Sequence, residues 1–471
     1  MANAQDVAAV IQSMRPPVYA LMLFASATAP SRIWARGDET PLHRALGAPE
    51  DLTITASIRP RIEAIDGQFR PDAADRDQLL SIRTTLAIDY HPGPLFIGGE
   101  IWDVRGYLER DRSSTRTGEV NALEPIQAYV GYQLGDALGR DTTSRITAGR
   151  FTQDLGARRF MARQRFRNTT NSFTGAKLDW SNKRGDEALF FWTMPQSRLP
   201  DTPARVRRNA IVLDHEGTDL QFFGGSFTRS GMLGGSLQVY AFGLTERDTP
   251  LFATTNRRLF TPGIRLTRKP GKATADYEIE ATYQTGRARA SDDDADRINL
   301  DVSAYFLHLE AGYTFAADWS PRIAVQYDLA SGDSGQVGKL GRFDTLFGAR
   351  REYGPTDLYG LFQRSNMSSP AIRLELEPSD LTEGFISYRA GFLSRAQDSF
   401  ADTGVQDETG SAGKFAGHQL EVGVTHDLIP DRVRLAAGAV YLAKGRFLTL
   451  APNAPATGDT LYGFTDVTFS F

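Results

Sequence analysis

Cysteine is absent from the 471 residues, which removes disulfides, thiol nucleophiles and thiolate metal sites together. There is also no run of about 18 apolar residues, so the sequence offers no membrane-spanning helix. Neither sign of charge dominates. With 53 Lys+Arg against 57 Asp+Glu, the formal charge of −4 gives no global attraction to nucleic acid. Only six histidines occur (His43, His91, His215, His308, His418 and His426), none in an H-E-x-x-H spacing, and no G-x-S-x-G elbow is present. Neither a metal-hydrolase nor a serine-hydrolase reading therefore finds its residues, and neither an enzymatic activity nor a cofactor is expected.

What is present is glycine (44) and aromatic residues (10%), in a chain of 41% hydrophobic residues and mean hydropathy −0.34. The apolar residues recur at every second position. In DYEIEATYQT (276–285), Tyr277, Ile279, Ala281 and Tyr283 oppose Glu278, Glu280, Thr282 and Gln284. LTITASIRPRIEAI (52–65), AIRLELEP (371–378) and HQLEVGVTHDL (418–428) behave alike. This period marks strands with one face in an apolar and one in a polar medium. About 18 such segments run from 52–65 to 461–471, an even number of the kind bacterial barrels use. The last, LYGFTDVTFSF, is expected to close the sheet with Phe471 toward lipid. Parity is ambiguous around Gly98–Arg105, Gly149–Arg150 and Phe222–Phe227, where bulges are expected.

The connections alternate short and long. DYHPGP (89–94), SNKRGDE (181–187), KPGKA (269–273) and LIPDR (428–432) are short, whereas 108–122, 153–170, 196–216, 330–368 and 396–415 are long. An all-β transmembrane antiparallel barrel in the bacterial outer membrane has this layout, with tight periplasmic turns and long extracellular loops. Closure also leaves no unpaired edge in lipid. Residues 1–29 read as a secretory signal or an N-terminal extension, on the apolar stretch Val18–Phe24 followed by small residues Ala25–Ala29. Residues 30–50 read as a periplasmic segment and 51–471 as one barrel.

Four stretches carry a resemblance to the alginate-export family of outer-membrane β-barrels. They are RFMARQRFRNTTNSFTGAKLDW (159–180), DTLFGARREYGPTDLYG (344–360), SNMSSPAIRLELEP (365–378) and GKFAGHQLEVGV (413–424). The resemblance implies a monomeric barrel whose arginine-lined, constricted pore passes an acidic polysaccharide outward. EIWDVRGY (100–107) departs from it by placing Trp102 and Val104 among positions expected to be polar.

A barrel of this strand number encloses water, so charge is tolerated on its inner face. Parity turns Arg59, Arg61, Arg83, Lys177, Arg265, Arg322, Arg373, Arg389 and Arg434 inward, together with Asp89, Asp179, Glu278, Glu280, Glu310, Asp328, Glu375 and Glu421. Mutually neutralising cross-strand pairs account for most of these. The sharper signal is GARRFMARQRFRN (156–168), where Arg158, Arg159, Arg163, Arg165 and Arg167 stand with no acid among them. Loop 330–368 adds Lys339, Arg342, Arg350, Arg351 and Arg364. Folded into the pore, these guanidiniums would pair bidentately with carboxylates and set anion preference. Left outside, they would meet the phosphates of surface lipopolysaccharide. Trp180, Trp192, Tyr240, Tyr313, Trp319 and Tyr441 are expected in the interfacial girdle. SDDDAD (291–296) lacks the loop glycine and terminal Glu of an EF-hand and reads as a solvated acidic loop rather than a Ca²⁺ site.

The expected function is a channel for an anionic, alginate-like polysaccharide or oligosaccharide, working by passive diffusion. The alternatives are an anion-preferring uptake porin for small acidic nutrients and a loop-plugged surface binding barrel. The expected partners are outer-membrane lipid and lipopolysaccharide, the anionic saccharide, and periplasmic export or uptake proteins, with the barrel itself monomeric.

Overall fold

The computed structural model describes residues 40–471 apart from 251 and 294. The leader expected at 1–29 therefore lies outside the described residues, as does most of the segment 30–50. The first third of the ring comprises β1 (Leu52–Asp66), β2 (Arg76–Tyr90), β3 (Leu95–Tyr107), β4 (Asn121–Gly135), β5 (Thr142–Phe151) and β6 (Phe173–Asn182). It continues through β7 (Glu187–Pro195), β8 (Leu220–Met232), β9 (Gly235–Glu246), β10 (Arg258–Arg268), β11 (Thr274–Ala288) and β12 (Leu300–Thr314). After β13 (Arg322–Ala330) comes a two-residue strand, β14 (Lys339–Leu340). The remainder is β15 (Met367–Ser379), β16 (Thr382–Phe392), β17 (Phe415–Ile429), β18 (Val433–Lys444) and β19 (Thr460–Ser470).

Each long strand pairs antiparallel with its sequence neighbour, β13 passing directly to β15. β19 returns to β1 in register from Ser57↔Ser470 to Asp66↔Leu461. The 18 long strands thus close into a barrel, and β14 lies outside the ring, running parallel to the start of β12. Within the ring the shortest strand has nine residues and the longest fifteen, enough to cross hydrocarbon when tilted, which takes about 9–11 residues. Three short helices complete the chain: α1 (Pro41–Leu46), α2 (Pro203–Arg207) and α3 (Arg446–Leu450). α1 is capped by Thr40, whose hydroxyl accepts from His43 N–H at 3.0 Å and donates to Ile54 O at 2.6 Å, tying the helix to the turn-side end of β1.

Alternation separates the two faces as the sequence implies. Ile97 (47% exposed), Phe190 (55%), Phe260 (52%) and Val325 (53%) point outward and form the apolar belt. On β19, Tyr462, Phe464 and Asp466 are buried inside, while Phe469 and Phe471 are exposed. Trp192, Tyr313, Trp319 and Tyr441 are exposed as girdle residues should be. Tyr240 is not, which corrects the reading above. It faces inward, 5% exposed, donating to Glu280 at 2.7 Å and lying across Gly263 on β10, where any side chain would collide with the ring. Gly98 on β3 is covered by Tyr129 in the same manner. Glycine opposite an aromatic keeps the strands close while the ring fills the gap.

Of the three places where bulges were expected, only β3–β4 shifts register, at Glu100/Ile101 and Trp102/Val104. The pairings through Gly149–Arg150 and Phe222–Phe227 run continuously. The β3 departure resolves accordingly. Trp102 and Val104 face inward and pack with Ile126, and the Trp102 indole donates to Glu100 at 2.6 Å.

Candidate functional site: an arginine-rich cavity between inward-folded loops

Two long loops, 152–172 and 331–366, fold into the barrel rather than over it. Their backbones meet at the parallel bridge Met161↔Phe347, with Phe347 N–H donating to Phe160 O at 3.0 Å and Ala349 N–H to Arg158 O at 2.8 Å. The driving force is aromatic. Phe160 sits among Tyr240, Phe242, Phe306 and Phe343 with ring centroids 5.6–6.3 Å apart, and Phe347 contacts Phe173 and Phe222. Burying each such ring contributes about 2–3 kcal/mol. The inner wall of this half of the barrel thus supplies an apolar seat, and the loops supply its lid.

Arginines fasten the loops to the wall. Arg159, from loop 152–172, binds Glu278 and Glu280 of β11 (the latter at 2.6 Å) and Glu352 of the other loop at 2.9 Å. Arg163 pairs with Glu100 of β3 at 2.6 Å. Arg158 and Arg165 both turn to Asp154 within their own loop, at 3.0 and 2.8 Å. From the wall, Arg59 donates to Arg165 O (3.1 Å) and Asn168 Oδ1 (2.6 Å), and Arg83 donates to Arg165 O and Arg167 O. Arg61 reaches Phe166 O at 2.8 Å, Asp357 at 3.2 Å and Asp466 at 2.9 Å, which joins both loops to β1 and β19. Arg351 binds Glu421 of β17 at 2.8 Å. Arg389 binds Asp328 at 2.9 Å, and His308 shares that carboxylate at 2.7 Å.

Toward the turn side the wall residues form ladders of their own. Arg322 meets Asp276, Glu310 (2.5 Å) and Glu375 (2.9 Å). Arg265 meets Glu278 at 2.8 Å, Arg373 meets Glu375 at 2.7 Å, and Lys177 meets Asp179 at 3.1 Å.

Between the loops lies a polar cavity of about 450 Å³ lined by seven arginines (Arg70, Arg116, Arg167, Arg198, Arg257, Arg350 and Arg364) and four carboxylates (Glu119, Glu246, Asp357 and Asp402). Arg257 pairs with Glu246 and Asp344, Arg350 with Asp402, and Arg364 with Glu352. Among the described residues, Arg70, Arg116, Arg167 and Arg198 make no ion pair. Arg167 and Arg198 instead converge on one neutral acceptor, Asn171 Oδ1, at 3.0 and 2.7 Å. Arg70 donates to Leu358 O at 3.0 Å and Gly360 O at 3.3 Å.

Burial without compensation leaves its mark on Arg70, Arg167 and Arg198. Burial and the neighbouring Arg116 lower Arg70 to about 10. Burial and Arg198 hold Arg167 well below the usual arginine range, and burial lowers Arg198. Burial, reinforced by Asp357, raises Glu119 to about 7. The arginine shifts record guanidiniums buried beside one another, and the Glu119 shift records a carboxylate buried beside another carboxylate. A second cavity of about 250 Å³ shares Ser197, Leu220 and Glu246 with the first and reaches Asp219 and Asp292. Near it, Asp296 accepts from Ser291 N–H at 3.0 Å and from Ile298 N–H at 3.3 Å, turning loop 289–299 on itself.

Of the residues singled out in the sequence, Arg167 and Arg350 line the main cavity, as does Arg364. Arg59, Arg61, Arg83, Arg158, Arg159, Arg163, Arg165, Arg351 and Arg389 brace the loops and the wall around them. Lys177, Arg265, Arg322 and Arg373 belong to the ladders. Arg70, Arg116, Arg198 and Arg257 were not anticipated. Each comes from a different connection, at 67–75, 108–120, 196–219 and 247–257, so that no single stretch of sequence brings them together.

A closed ring with a lipid-facing belt, short turns at one end and a charged, loop-constricted lumen defines a channel of the bacterial outer membrane. The alginate-export family profile matches residues 51–460, and the chain belongs to that family. The fold is similar to solved porin structures. Pseudomonas aeruginosa OccK9 (OpdG) matches at TM-score 0.55 and 12% identity, over 90% of this chain and 98% of that one. Acinetobacter baumannii OccAB3 matches at 0.54 and 10%, over 90% and 100%. Pseudomonas aeruginosa OccK2 (OpdF), solved in complex with glucuronate, matches at 0.53 and 11%, over 89% and 98%. No curated protein matches the sequence.

Proposed function

We propose that the channel passes an anionic, uronate-bearing saccharide by passive diffusion, and that the cavity between the two inward-folded loops is its constriction. One observation carries this reading: seven guanidiniums face four carboxylates around one opening, and four of the seven make no ion pair among the described residues. A carboxylate entering the cavity would exchange its hydration for the forks of Arg167 and Arg198, then for those of Arg70, Arg116 and Arg350. Several partial contacts rather than one deep site allow entry and release alike. Membership of the alginate-export family supports an acidic sugar as the cargo.

A second reading, an uptake porin for small acidic nutrients, is favoured by the same cavity's modest volume of about 450 Å³ and by the many ties that hold both loops inward. Single-channel recording in planar bilayers separates the two. Under a KCl gradient the wild type should be anion-preferring, and Arg167→Gln/Arg198→Gln/Arg350→Gln should lose most of that preference. Block by long oligouronates, growing with chain length and absent with neutral oligosaccharides, supports the polymer conduit. Block by monouronates alone supports the small-nutrient porin. An unchanged reversal potential in the triple variant would remove this cavity from the conduction path.

A further inference from the structure

The extracellular rim above β3 carries a second basic pattern, distinct from the cavity. Where the β3–β4 pairing ends at Val104↔Asn121, the chain following α2 takes over. Asn209 accepts from Gly106 N–H and donates to Gly106 O, both at 2.8 Å, as a strand neighbour would. Asp214 N–H donates to Glu124 at 2.9 Å. These bonds hold α2 against loop 108–120, where Arg207 pairs with Asp111 at 2.8 Å and donates to Arg110 O at 3.0 Å.

The result is an exposed group of five arginines: Arg110, Arg112, Arg205, Arg207 and Arg208. The acids within 108–112 and 201–208 are Glu109, Asp111 and Asp201, of which Asp111 is taken by Arg207. Among the described residues, the guanidiniums of Arg110, Arg112, Arg205 and Arg208 have no carboxylate partner. Arg208 donates only to Ala204 O at 3.0 Å. Beside them stand apolar side chains with nothing over them: Leu108 (55% exposed), Ile211 (57%) and Leu213 (57%), with Tyr107 (40%) at the end of β3.

Exposed guanidiniums bordered by exposed aliphatic side chains, at the level where the belt of a membrane barrel ends, match a ligand that is anionic at one end and acylated at the other. We propose that this patch binds a phosphorylated, acylated glycolipid of the outer leaflet. Its phosphates would lie on the four unpaired guanidiniums and an acyl chain along Leu108, Ile211 and Leu213. Arginine forks pair bidentately with phosphate, and each basic group near an anionic lipid surface adds to the hold. The other anion at hand, the saccharide cargo, has no use for the aliphatic border, and its route lies inside the ring.

The test is native mass spectrometry of the full chain in detergent, titrated with diphosphoryl lipid A, with fully dephosphorylated lipid A as the comparison. The wild type should retain diphosphoryl lipid A and release the dephosphorylated form. Arg110→Gln/Arg112→Gln/Arg205→Gln/Arg208→Gln should bind diphosphoryl lipid A on the order of a hundredfold more weakly. Heat-modifiable migration on a denaturing gel reports that the variant barrel is folded. If it is not, Leu108→Asp/Ile211→Asp, which leaves all four arginines in place, should show the same loss. Equal retention of both lipids by the wild type, or undiminished retention by the folded rim variant, overturns the proposal. So does a rim variant that keeps the lipid but loses block by oligouronates, since the patch would then serve the cargo.

Discussion

Arginine plays opposite parts in two regions of this barrel. Along the wall, Arg389 and Arg322 are paired with carboxylates: Asp328 for the first, and Asp276, Glu310 and Glu375 for the second. In the cavity, Arg167 and Arg198 face each other across a neutral amide. A guanidinium with its carboxylates present ties strands together and has little left for a visitor. One buried without them holds its charge at a cost to the fold, the usual mark of a position kept for a ligand. The distinction lies in the company the residue keeps and not in its type or its burial.

The largest effect should come from breaking the wall. Arg389→Met leaves the fully buried Asp328 with His308 and, at 3.4 Å, the Tyr353 hydroxyl, and about 3–5 kcal/mol of stability should be lost in denaturant unfolding from micelles. Arg198→Met, by contrast, should be neutral or slightly stabilising. Comparable losses for both would erase the contrast. Asn171→Asp sharpens it by giving Arg167 and Arg198 the carboxylate they lack. Because the amide nitrogen donates to Phe347 O at 2.7 Å and Ala162 O at 3.2 Å, bonds a carboxylate cannot make, the charge pairing is offset in stability and the expected readout is weaker anion preference in bilayers. A gain in anion preference instead would place the two arginines away from the ion path.

A smaller effect follows from Glu119, raised to about 7 by burial and by Asp357. As pH falls through that value the carboxylate takes up a proton and the cavity loses a negative charge, so anion preference should rise, by roughly twofold. Glu119→Gln should flatten the step, and a wild-type profile without it would show that Glu119 stays charged throughout. The smallest effect is expected between the oxidised and reduced forms of Met161→Cys/Phe347→Cys, in a chain otherwise free of cysteine, the lost Phe347 ring being common to both. The paired loop backbones should allow a disulfide on oxidation, with conductance unchanged. A drop on oxidation that reverses on reduction would mean that the loops part when ions flow.

The wall was legible in the sequence because its physics is local. Alternation of oil and water repeats every two residues, so the strand number, the inward set and the lipid-facing side of β19 could all be read from short windows. Tyr240 was misplaced because its residue type suggested a girdle, although it shares a face with Gln238 and Phe242 while Val239 points outward. β14 escaped notice because two residues carry no period. The cavity was less legible still. GARRFMARQRFRN reads as a basic pore loop, yet Arg159 and Arg163 are occupied by Glu280 and Glu100, more than sixty residues away in one direction or the other. Asp154, which holds Arg158 and Arg165, lies just before the run. The arginines left without such partners are brought together by loop folding, a property of the closed ring and not of any segment.

The fastenings of the two loops have a mechanical consequence. They reach β1 through Arg61, β3 through Glu100, β11 through Glu280 and β17 through Glu421, so they run from a hub to several points on a rim, as spokes do in a wheel. An empty cylinder squeezed from the side by its bilayer flattens easily into an oval, whereas one braced in this way keeps its cross-section. The bore between the spokes then holds its width when lateral pressure changes.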